Sequence, residues 1–197
     1  MFIQVIEGKC NRPNDLRRML DRWQAELGPN APGWLGGTYG FIDDDTFCAV
    51  VRFESREAAM ENSSRPEQSQ WFNELQKCFT GPLEFHDCDD VSMMLEGGSD
   101  DAGFVQIIRG RVLDKERLKS MTRFAEQLRE MRPDIIGGTL GIAEDGTFFQ
   151  TMAFTDEESA RRGEQQEMPD EVADDMAGAM ADISFMDLHE PWFASRP

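Results

Sequence analysis

The same stretch of sequence occurs twice in this chain, and the repetition constrains the fold more than any other feature. The first copy runs from residues 36–40 (Gly-Gly-Thr-Tyr-Gly) through an acidic turn to Phe53, and the second runs from residues 137–141 (Gly-Gly-Thr-Leu-Gly) to Phe154. The spacing is identical in the two copies. Each copy has the turn residues and flanking apolar residues of a β-hairpin. We therefore predict one module that is duplicated in tandem.

The segments around each hairpin also follow the same order. A run of β-branched and aromatic residues precedes the hairpin at 2–8 and at 104–110, and an apolar stripe at helical spacing follows each run. Beyond the hairpin, each copy has a helix start and then a final strand, at 83–88 and at 183–188. This order, strand-helix-strand-strand-helix-strand, is that of a ferredoxin-like βαββαβ module. The predicted class is α+β, with a four-stranded antiparallel sheet in each module.

A short linker is expected between the two modules. Residues 97–102 are small, polar and acidic, which is typical of a flexible connection and leaves modules at 1–96 and 103–197. Helices cover one face of such a sheet, and the other, apolar face needs a partner. We therefore expect the two sheets to pack face to face as an intramolecular pseudo-dimeric α+β barrel, which could associate further as a homodimer. Trp192 and Phe193 also need cover, which the other module could supply.

Composition limits the kind of partner that the chain can have. It has 38 acidic and 20 basic residues, a net charge of −18, so we expect it to bind neither nucleic acid nor an anionic membrane. The sequence has no apolar run long enough for a membrane span and no signal-peptide pattern, which predicts a cytoplasmic protein. The cysteines lack CxxC spacing, and three of them align with apolar residues of the second module. We expect four buried free thiols: Cys10, Cys48, Cys78 and Cys88.

Two short motifs carry a family resemblance. Residues 32–37 (Pro-Gly-Trp-Leu-Gly-Gly) and 52–59 (Arg-Phe-Glu-Ser-Arg-Glu-Ala-Ala), partly repeated at 137–138 and 153–158, resemble the dimeric α+β barrel superfamily and, within it, the antibiotic biosynthesis monooxygenase-like domains. Members of that group include monooxygenases that oxidise quinol-like aromatic molecules without a cofactor, and enzymes that degrade haem. The resemblance therefore implies the fold given above and a small aromatic molecule as partner.

The haem branch of this resemblance is the less favoured one. Its members use an asparagine on the first strand, a tryptophan and an axial histidine. The nearest residues in this sequence are Gln4, Trp71 and His86. Gln4 keeps an amide but replaces the asparagine, and the spacing of Trp71 and His86 is longer than in the family pattern. We therefore expect no cofactor.

His86 and Asp87 are candidate proton-transfer groups. A histidine titrates near neutral pH, and Asp87 recurs as Asp187 beside an apolar residue, where a carboxylate could have a raised pKa and act as a base. Asp87 could instead be a hydrogen-bond anchor. Residues 86–90 (His-Asp-Cys-Asp-Asp) also include metal-ligand types. Because neighbouring side chains on a strand alternate between faces, a hydrogen-bonded histidine is favoured over a metal site.

Tyr39, Trp71 and two glutamines are further candidate site residues. Tyr39, the single tyrosine, is matched by Leu140, and Trp71 has no counterpart, which predicts one pocket in the first module between its sheet and its helices. Gln4 and Gln106 occupy equivalent positions in apolar strands. A buried amide there needs a hydrogen-bond partner, which can be the backbone, the equivalent glutamine of the other module or a ligand. The alternative is that Tyr39 and Trp71 are ordinary packing residues. The predicted catalytic residues are His86, Tyr39 and Asp87, and the predicted substrate-binding residues are Gln4, Trp71 and Gln106.

Two function hypotheses of different classes follow. The first is a cofactor-independent monooxygenase that oxidises a small, quinol-like aromatic molecule in the pocket of the first module. The second is a non-catalytic protein of the same fold that binds a small molecule or has a structural, stress-related role. The sequence has no nucleophile elbow, phosphate-binding loop, dinucleotide fingerprint or zinc-protease motif, and its two histidines leave little room for a catalytic triad or a zinc enzyme.

Overall fold

The chain divides into two compact units. The computed structural model describes residues 1–122, 125–166 and 170–196. The first unit comprises Met1–Asp89 and Trp192–Pro197, and the second comprises Asp90–Pro191. The module bounds 1–96 and 103–197 describe the repeat in the sequence, and they stay a prediction. The face-to-face packing of the two sheets also stays a prediction.

The secondary structure follows the predicted order in both halves. The first half contains β1 (Phe2–Lys9), α1 (Pro13–Glu26), β2 (Trp34–Phe41), β3 (Thr46–Phe53), α2 (Arg56–Ser64), α3 (Pro66–Leu75) and β4 (Glu84–Met94). The second half contains β5 (Phe104–Val112), α4 (Lys115–Met121), α5 (Ala125–Met131), β6 (Ile135–Ala143), β7 (Thr147–Phe154), α6 (Glu157–Glu164), α7 (Asp170–Ala179) and β8 (Met180–Leu188), and β9 (Trp192–Ser195) follows it. The predicted α+β class and the ferredoxin-like arrangement are confirmed. The final strand of the first copy, predicted at 83–88, is longer and continues to Met94.

The sheet of the first unit is antiparallel, with the strand order β4-β1-β3-β2-β9. Strand β1 pairs with β3 on one side and with β4 on the other. Its register places Gln4 opposite both Val51 and Asp87, whereas the next residue, Val5, lies opposite Val50 and His86. Because side chains alternate along a strand, these two rows of residues lie on opposite faces of the sheet.

The pairing of β9 with β2 gives Trp192 the cover that the sequence requires. Inside the first unit, the Trp192 ring lies 6.0 Å from the ring of Tyr39 and 6.1 Å from that of Phe47. The guanidinium carbon of Arg17 lies 4.8 Å from the centre of the same ring, as in a cation–π contact. The cover therefore comes from residues of the first copy, whereas Trp192 lies in the second copy of the sequence repeat.

The second unit repeats the arrangement with the strand order β8-β5-β7-β6. Asp114 caps α4 and Asp156 caps α6, each by accepting a hydrogen bond from a backbone N–H of the first turn. Leu118 and Met131 belong to the apolar stripe that is predicted after residues 104–110. Leu118 is buried, as a core residue should be, but Met131 is 66% exposed. Phe124, a further member of that stripe, lies outside the described residues.

The four cysteines are free and buried, as predicted, and each lies in the first unit. Burial raises the pKa of the Cys48 thiol, since a low-dielectric surrounding disfavours the thiolate. No helix among the described residues is both long enough and apolar enough to cross a membrane.

The paired glycines of the repeated hairpin leave room for neighbouring groups. A Cβ atom added at Gly137 would lie 2.1 Å from the carbonyl oxygen of Gly97, which belongs to the backbone and cannot rotate away. A Cβ atom added at Gly81 would have no heavy atom within 4 Å. The second copy of the motif therefore depends on its first glycine for close backbone packing.

We expect Gly137→Ala to lower the free energy of unfolding by about 2 kcal/mol, because the methyl group overlaps a fixed carbonyl oxygen. Gly81→Ala is the matched control and should change it by no more than about 0.5 kcal/mol. Urea unfolding followed by circular dichroism measures both. Equal midpoints for the two variants would contradict the close approach at Gly137.

Candidate functional site

A cavity of about 390 Å³ lies in the first unit, between the sheet and helices α1, α2 and α3. Its walls are mainly aromatic and aliphatic, with a group of amides and hydroxyls on the helix side. The lining residues are Gln4, Ile6, Leu20, Trp23, Trp34, Tyr39, Phe47, Ala49, Val51, Phe53, Ala59, Asn62, Ser63, Gln68, Ser69, Trp71, Phe72, Asn73, Leu75, Phe79, Leu83 and Phe85. Its place between sheet and helices is the one predicted for a pocket of the first module.

Three tryptophans form one wall of the cavity. The ring of Trp23 meets that of Trp34 edge-on at 4.9 Å and lies 6.1 Å from that of Trp71. The indole N–H of Trp23 donates to Gln68 Oε1 at 2.6 Å, and that of Trp71 donates to the carbonyl oxygen of Met19 at 3.1 Å. These bonds fix two of the rings and join α3 to α1. Trp71 therefore lies where the sequence analysis placed it, against the cavity.

Tyr39 lies on the floor of the cavity. Its side chain is 5% exposed and packs against the rings of both Phe47 and Trp192. A Cβ atom at Gly37 would lie 2.2 Å from the Tyr39 hydroxyl oxygen, so the second glycine of the motif makes room for this hydroxyl. Burial raises the pKa of Tyr39, and the charge of Arg52 offsets this only in part. Tyr39 is therefore a neutral hydrogen-bonding group at physiological pH and not a base.

Gln4 and Asp87 form a hydrogen-bonded pair at one end of this floor. Gln4 Nε2 donates to Asp87 Oδ1 at 2.8 Å, and Arg56 NH1 donates to Asp87 Oδ2 at 3.2 Å. Arg56 also binds Asp89, whose pKa it lowers. Gln4 lines the cavity, whereas Asp87 does not. The geometry of Asp87 is that of a hydrogen-bond anchor, because an arginine and an amide occupy its two oxygens.

His86 lies on the opposite face of the sheet from Gln4 and Asp87. Its Nε2 is 3.6 Å from Glu7 Oε1, and its strand partner is Val5. The structure therefore does not bring the predicted catalytic residues together: Tyr39 lines the cavity, Asp87 lies behind Gln4, and His86 faces away. The physical reason is the alternation of side chains along β4, which separates residues that are adjacent in sequence.

Gln106 belongs to the equivalent network of the second unit. Its Nε2 donates to Asp187 Oδ1 at 3.0 Å and to Glu164 Oε1 at 3.1 Å, and Arg161 NH2 donates to Asp187 Oδ2 at 2.5 Å. The Gln–Asp–Arg arrangement is thus repeated. Gln106 lies in the second unit and Gln4 in the first, so these two predicted ligand contacts belong to different sites.

Sequence reasoning missed the polar residues that α2 and α3 contribute to the cavity. Asn62 is 3% exposed, and its Oδ1 accepts a hydrogen bond from Arg65 at 3.0 Å. Four others share this side of the lining: Ser63, Gln68, Ser69 and Asn73. The available signal was a polar run, residues 61–64 (Glu-Asn-Ser-Ser), which begins two residues after the buried Ala59 in a helix.

The chemistry of the lining favours a neutral, flat, largely apolar ligand. Of the described residues that line the cavity, Tyr39 alone has a titratable side chain. A charged ligand would lose its hydration without meeting a countercharge, whereas an aromatic ring can pack against the tryptophans. The residues do not fit the haem pattern either, because His86, the histidine nearest to the axial position of that pattern, faces away from the cavity.

Comparison with solved structures identifies the fold. A candidate monooxygenase from Fusobacterium nucleatum superposes with a TM-score of 0.75 at 12% identity, over 99% of this chain and 94% of that chain. An anthrone oxidase-like protein gives 0.63 at 8% identity, over 99% and 94%. A Listeria monocytogenes ferredoxin-fold protein related to antibiotic biosynthesis monooxygenases gives 0.54 at 11% identity, over 96% and 94%.

No family model and no curated protein matches the sequence. At these identities the superpositions establish the fold alone. The chain has the ferredoxin-like fold of the antibiotic biosynthesis monooxygenase-like proteins, as its two motifs indicated.

We expect Tyr39 to remain protonated in the folded protein above pH 10, where a free tyrosine ionises. Because the chain has one tyrosine, absorbance at 295 nm reports it directly. The native protein should show no tyrosinate at pH 10.5, whereas protein in guanidinium should titrate near pH 10. Tyr39→Phe should remove the titration from both.

The same pKa shift has a consequence for stability. Since the folded-state pKa is raised, the contribution of Tyr39 is fully present below about pH 10 and is lost as the pH rises further, when the unfolded state alone releases the proton. A native protein that ionises at pH 10 would contradict the burial of this hydroxyl.

Proposed function

We propose that the cavity of the first unit binds a small, neutral aromatic molecule of the quinol type and promotes its oxidation by molecular oxygen without metal or flavin. The observation that carries this proposal is the lining: three tryptophans and Tyr39 surround about 390 Å³, with amides and hydroxyls along one side. Such a surface stacks on a flat ring and leaves polar groups for ring oxygens.

The reaction that fits is insertion of one oxygen atom into an activated C–H bond. A ring CH₂ of an anthrone-type substrate becomes C=O, one atom of O₂ enters the product, and the other leaves as water with the two hydrogens. The electrons come from the substrate, so the step needs no external reductant. The protein would hold the ring and exclude water from it, as oriented binding and desolvation require.

The proton that activates the substrate has no imidazole or carboxylate to receive it among the described lining residues. His86 was the predicted base, but it lies on the other face of the sheet. Under this proposal, the substrate's own hydroxyl ionises, and the proton leaves through the rim, where Ser63, Ser69 and Asn73 are exposed. The substrate then binds in its neutral form and must be acidic enough to lose a proton to water when it reacts.

The structural neighbours support the proposal in a limited way. One is a candidate monooxygenase and one is an anthrone oxidase-like protein. Both share with this chain the fold alone, and the choice of an aromatic substrate here rests on the cavity.

Binding without catalysis is the second candidate function. Among the described lining residues, Tyr39 alone has an ionisable side chain, and it is protonated, which favours a site that holds a ligand unchanged. The two candidates differ in a measurable way. A binder raises the unfolding midpoint as ligand concentration increases and consumes no oxygen.

We expect oxygen uptake with anthrone or a naphthohydroquinone to exceed its uncatalysed rate in the wild type and to fall at least tenfold in Ala59→Phe. Ala59 lines the cavity, and a phenyl group there would occupy it. Ala25→Phe, on the exposed side of α1, is the matched control and should keep the wild-type rate. An oxygen electrode measures all three.

Uptake that never exceeds the uncatalysed rate would overturn the oxidation proposal. If the same compounds still raise the unfolding midpoint of the wild type but not of Ala59→Phe, the binding function stands in its place.

His86→Ala should keep oxygen uptake within twofold of the wild type, and its pH dependence should follow the ionisation of the substrate. The reason is that His86 contacts Glu7 on the far face of the sheet and not the cavity. Tyr39→Phe provides the comparison, because its hydroxyl lies on the cavity floor. A tenfold loss in His86→Ala, together with a wild-type pH profile that titrates near the pKa of a histidine, would contradict this assignment.

A further inference from the structure

We infer that the Gln4 carboxamide selects ligands that carry a free hydroxyl group, and that Asp87 and Arg56 set the amide up for this role. This rests on the proposed function, since it concerns the ligand of the same cavity. It assigns to Gln4 Oε1 the task of accepting the hydroxyl hydrogen of an aromatic ligand. The inference follows from the orientation of the amide and from a difference between the two copies.

Asp87 fixes which end of the amide is available. A carboxylate oxygen accepts hydrogen bonds and cannot donate them, so the end of Gln4 that faces Asp87 must be the nitrogen. Nε2 lies 2.8 Å from Asp87 Oδ1, and Gln4 Oε1 has no partner among the described residues. The amide is half-buried and lines the cavity. Its oxygen is therefore an acceptor left to a ligand.

Arg56 holds Asp87 in the orientation that the amide requires. Its NH1 donates to Asp87 Oδ2 at 3.2 Å, and its Nε donates to Asp89 Oδ1 at 2.8 Å. The carboxylate is thereby occupied on both oxygens, one by arginine and one by Gln4. Asp87 acts through Gln4, so it is a positioning residue and does not touch the ligand.

The second copy shows the same amide in a closed state. Gln106 Nε2 is shared between Asp187 and Glu164, and the Gln106 side chain is 6% exposed. Glu164 lies eight residues after the cap of α6, Asp156, and Ser63 lies eight residues after the equivalent cap of α2, Ser55.

Ser63 does not give Gln4 Nε2 the second partner that Glu164 gives to Gln106 Nε2. Its hydroxyl turns back to the Ala59 carbonyl oxygen at 2.9 Å, and it lines the cavity instead of reaching Gln4. The two copies thus differ at the amide nitrogen, whose second hydrogen is paired in Gln106 and, among the described residues, open in Gln4. They also differ in access, since Gln106 is buried whereas Gln4 lines the cavity, where a ligand can meet its oxygen.

The floor of the cavity positions this acceptor opposite a second polar group. Gly37, Val51 and Gln4 form one row across three strands, and the Tyr39 hydroxyl lies over Gly37. The backbone positions of Gly37 and Gln4 are two strand spacings apart, about 10 Å. Their polar groups lie at the two sides of Val51, an arrangement that suits one aromatic ring with oxygens at its ends.

The ligand class that follows is a neutral phenol or quinol with its hydroxyl protonated on binding. An O-methyl ether has the same ring but no hydrogen to donate, and it would leave Oε1 unpaired. We expect the wild type to bind 1-naphthol roughly three- to tenfold more tightly than 1-methoxynaphthalene, the range of one net hydrogen bond. Quenching of tryptophan fluorescence measures both affinities, because three tryptophans line the cavity.

Gln4→Met should bring the ratio of the two affinities close to one while leaving the affinity for 1-methoxynaphthalene unchanged. Methionine keeps the length of the side chain and lacks the acceptor. Gln106→Met, the same change at the equivalent position of the second unit, is the matched control and should keep the wild-type ratio. A role in folding alone would alter both affinities together and would leave their ratio unchanged.

Ser63→Glu provides an independent test at an exposed position, so folding is not at risk. It places a carboxylate beside the amide nitrogen, as in the second copy, and leaves Oε1 free, so the ratio should keep its wild-type value. Ser64→Glu, next to it and outside the cavity lining, should keep the ratio.

A ratio of one in the wild type or in Ser63→Glu, or an unchanged ratio in Gln4→Met, would overturn the inference while the binding of aromatic molecules stands. Failure of both naphthalene ligands to bind the wild type would overturn the proposed function together with the inference.

Discussion

The position of β1 between β3 and β4 determines which side chains of the first unit can act together. Its register places Gln4 in one row with Val51 and Asp87, and the next residue along the strand in one row with Val50 and His86. A step of one residue therefore separates the cavity from the far face of the sheet. The apolar floor, the amide at its end and the carboxylate behind it all depend on this pairing.

Charge is kept close to the cavity but outside its lining. The Asp87 carboxylate orients Gln4, yet its charge is met by Arg56 at a half-exposed position. In the second copy, Arg161 pairs with the equivalent carboxylate, Asp187. Arg161 lies on a different turn of its helix from the turn of α2 that carries Arg56. The glutamine and the aspartate on the strands thus recur at equivalent positions, whereas the arginine comes from a different position of the helix. An amide that transmits orientation without charge suits a cavity for neutral ligands, since an ionised group there would have to lose its hydration.

Much of the fold could be predicted from the sequence, because the duplicated hairpin and the strand and helix periods agree with each other. The Gln–Asp pair could be anticipated as two repeated polar residues, and Tyr39 as a difference between copies. The role of His86 could not, because proximity in sequence says little about side chains on a strand that alternate between two faces. Nor could Ser63: a serine on an exposed helix has no distinguishing pattern, and its meaning appears only beside Glu164 in the folded second copy.

Because β9 belongs to the first unit but follows the second unit in sequence, the first unit is completed late in synthesis. Residues 192–195 pair with β2 and bring Trp192 against Tyr39, yet they follow the whole second unit in sequence. During synthesis domains generally fold as they emerge, N-terminal first. Here the outer edge of β2 stays open to other strands until the ribosome has made the second unit as well. The half of the protein that is made first is therefore finished last, so a nascent chain acquires its complete candidate site only after the duplicated partner exists.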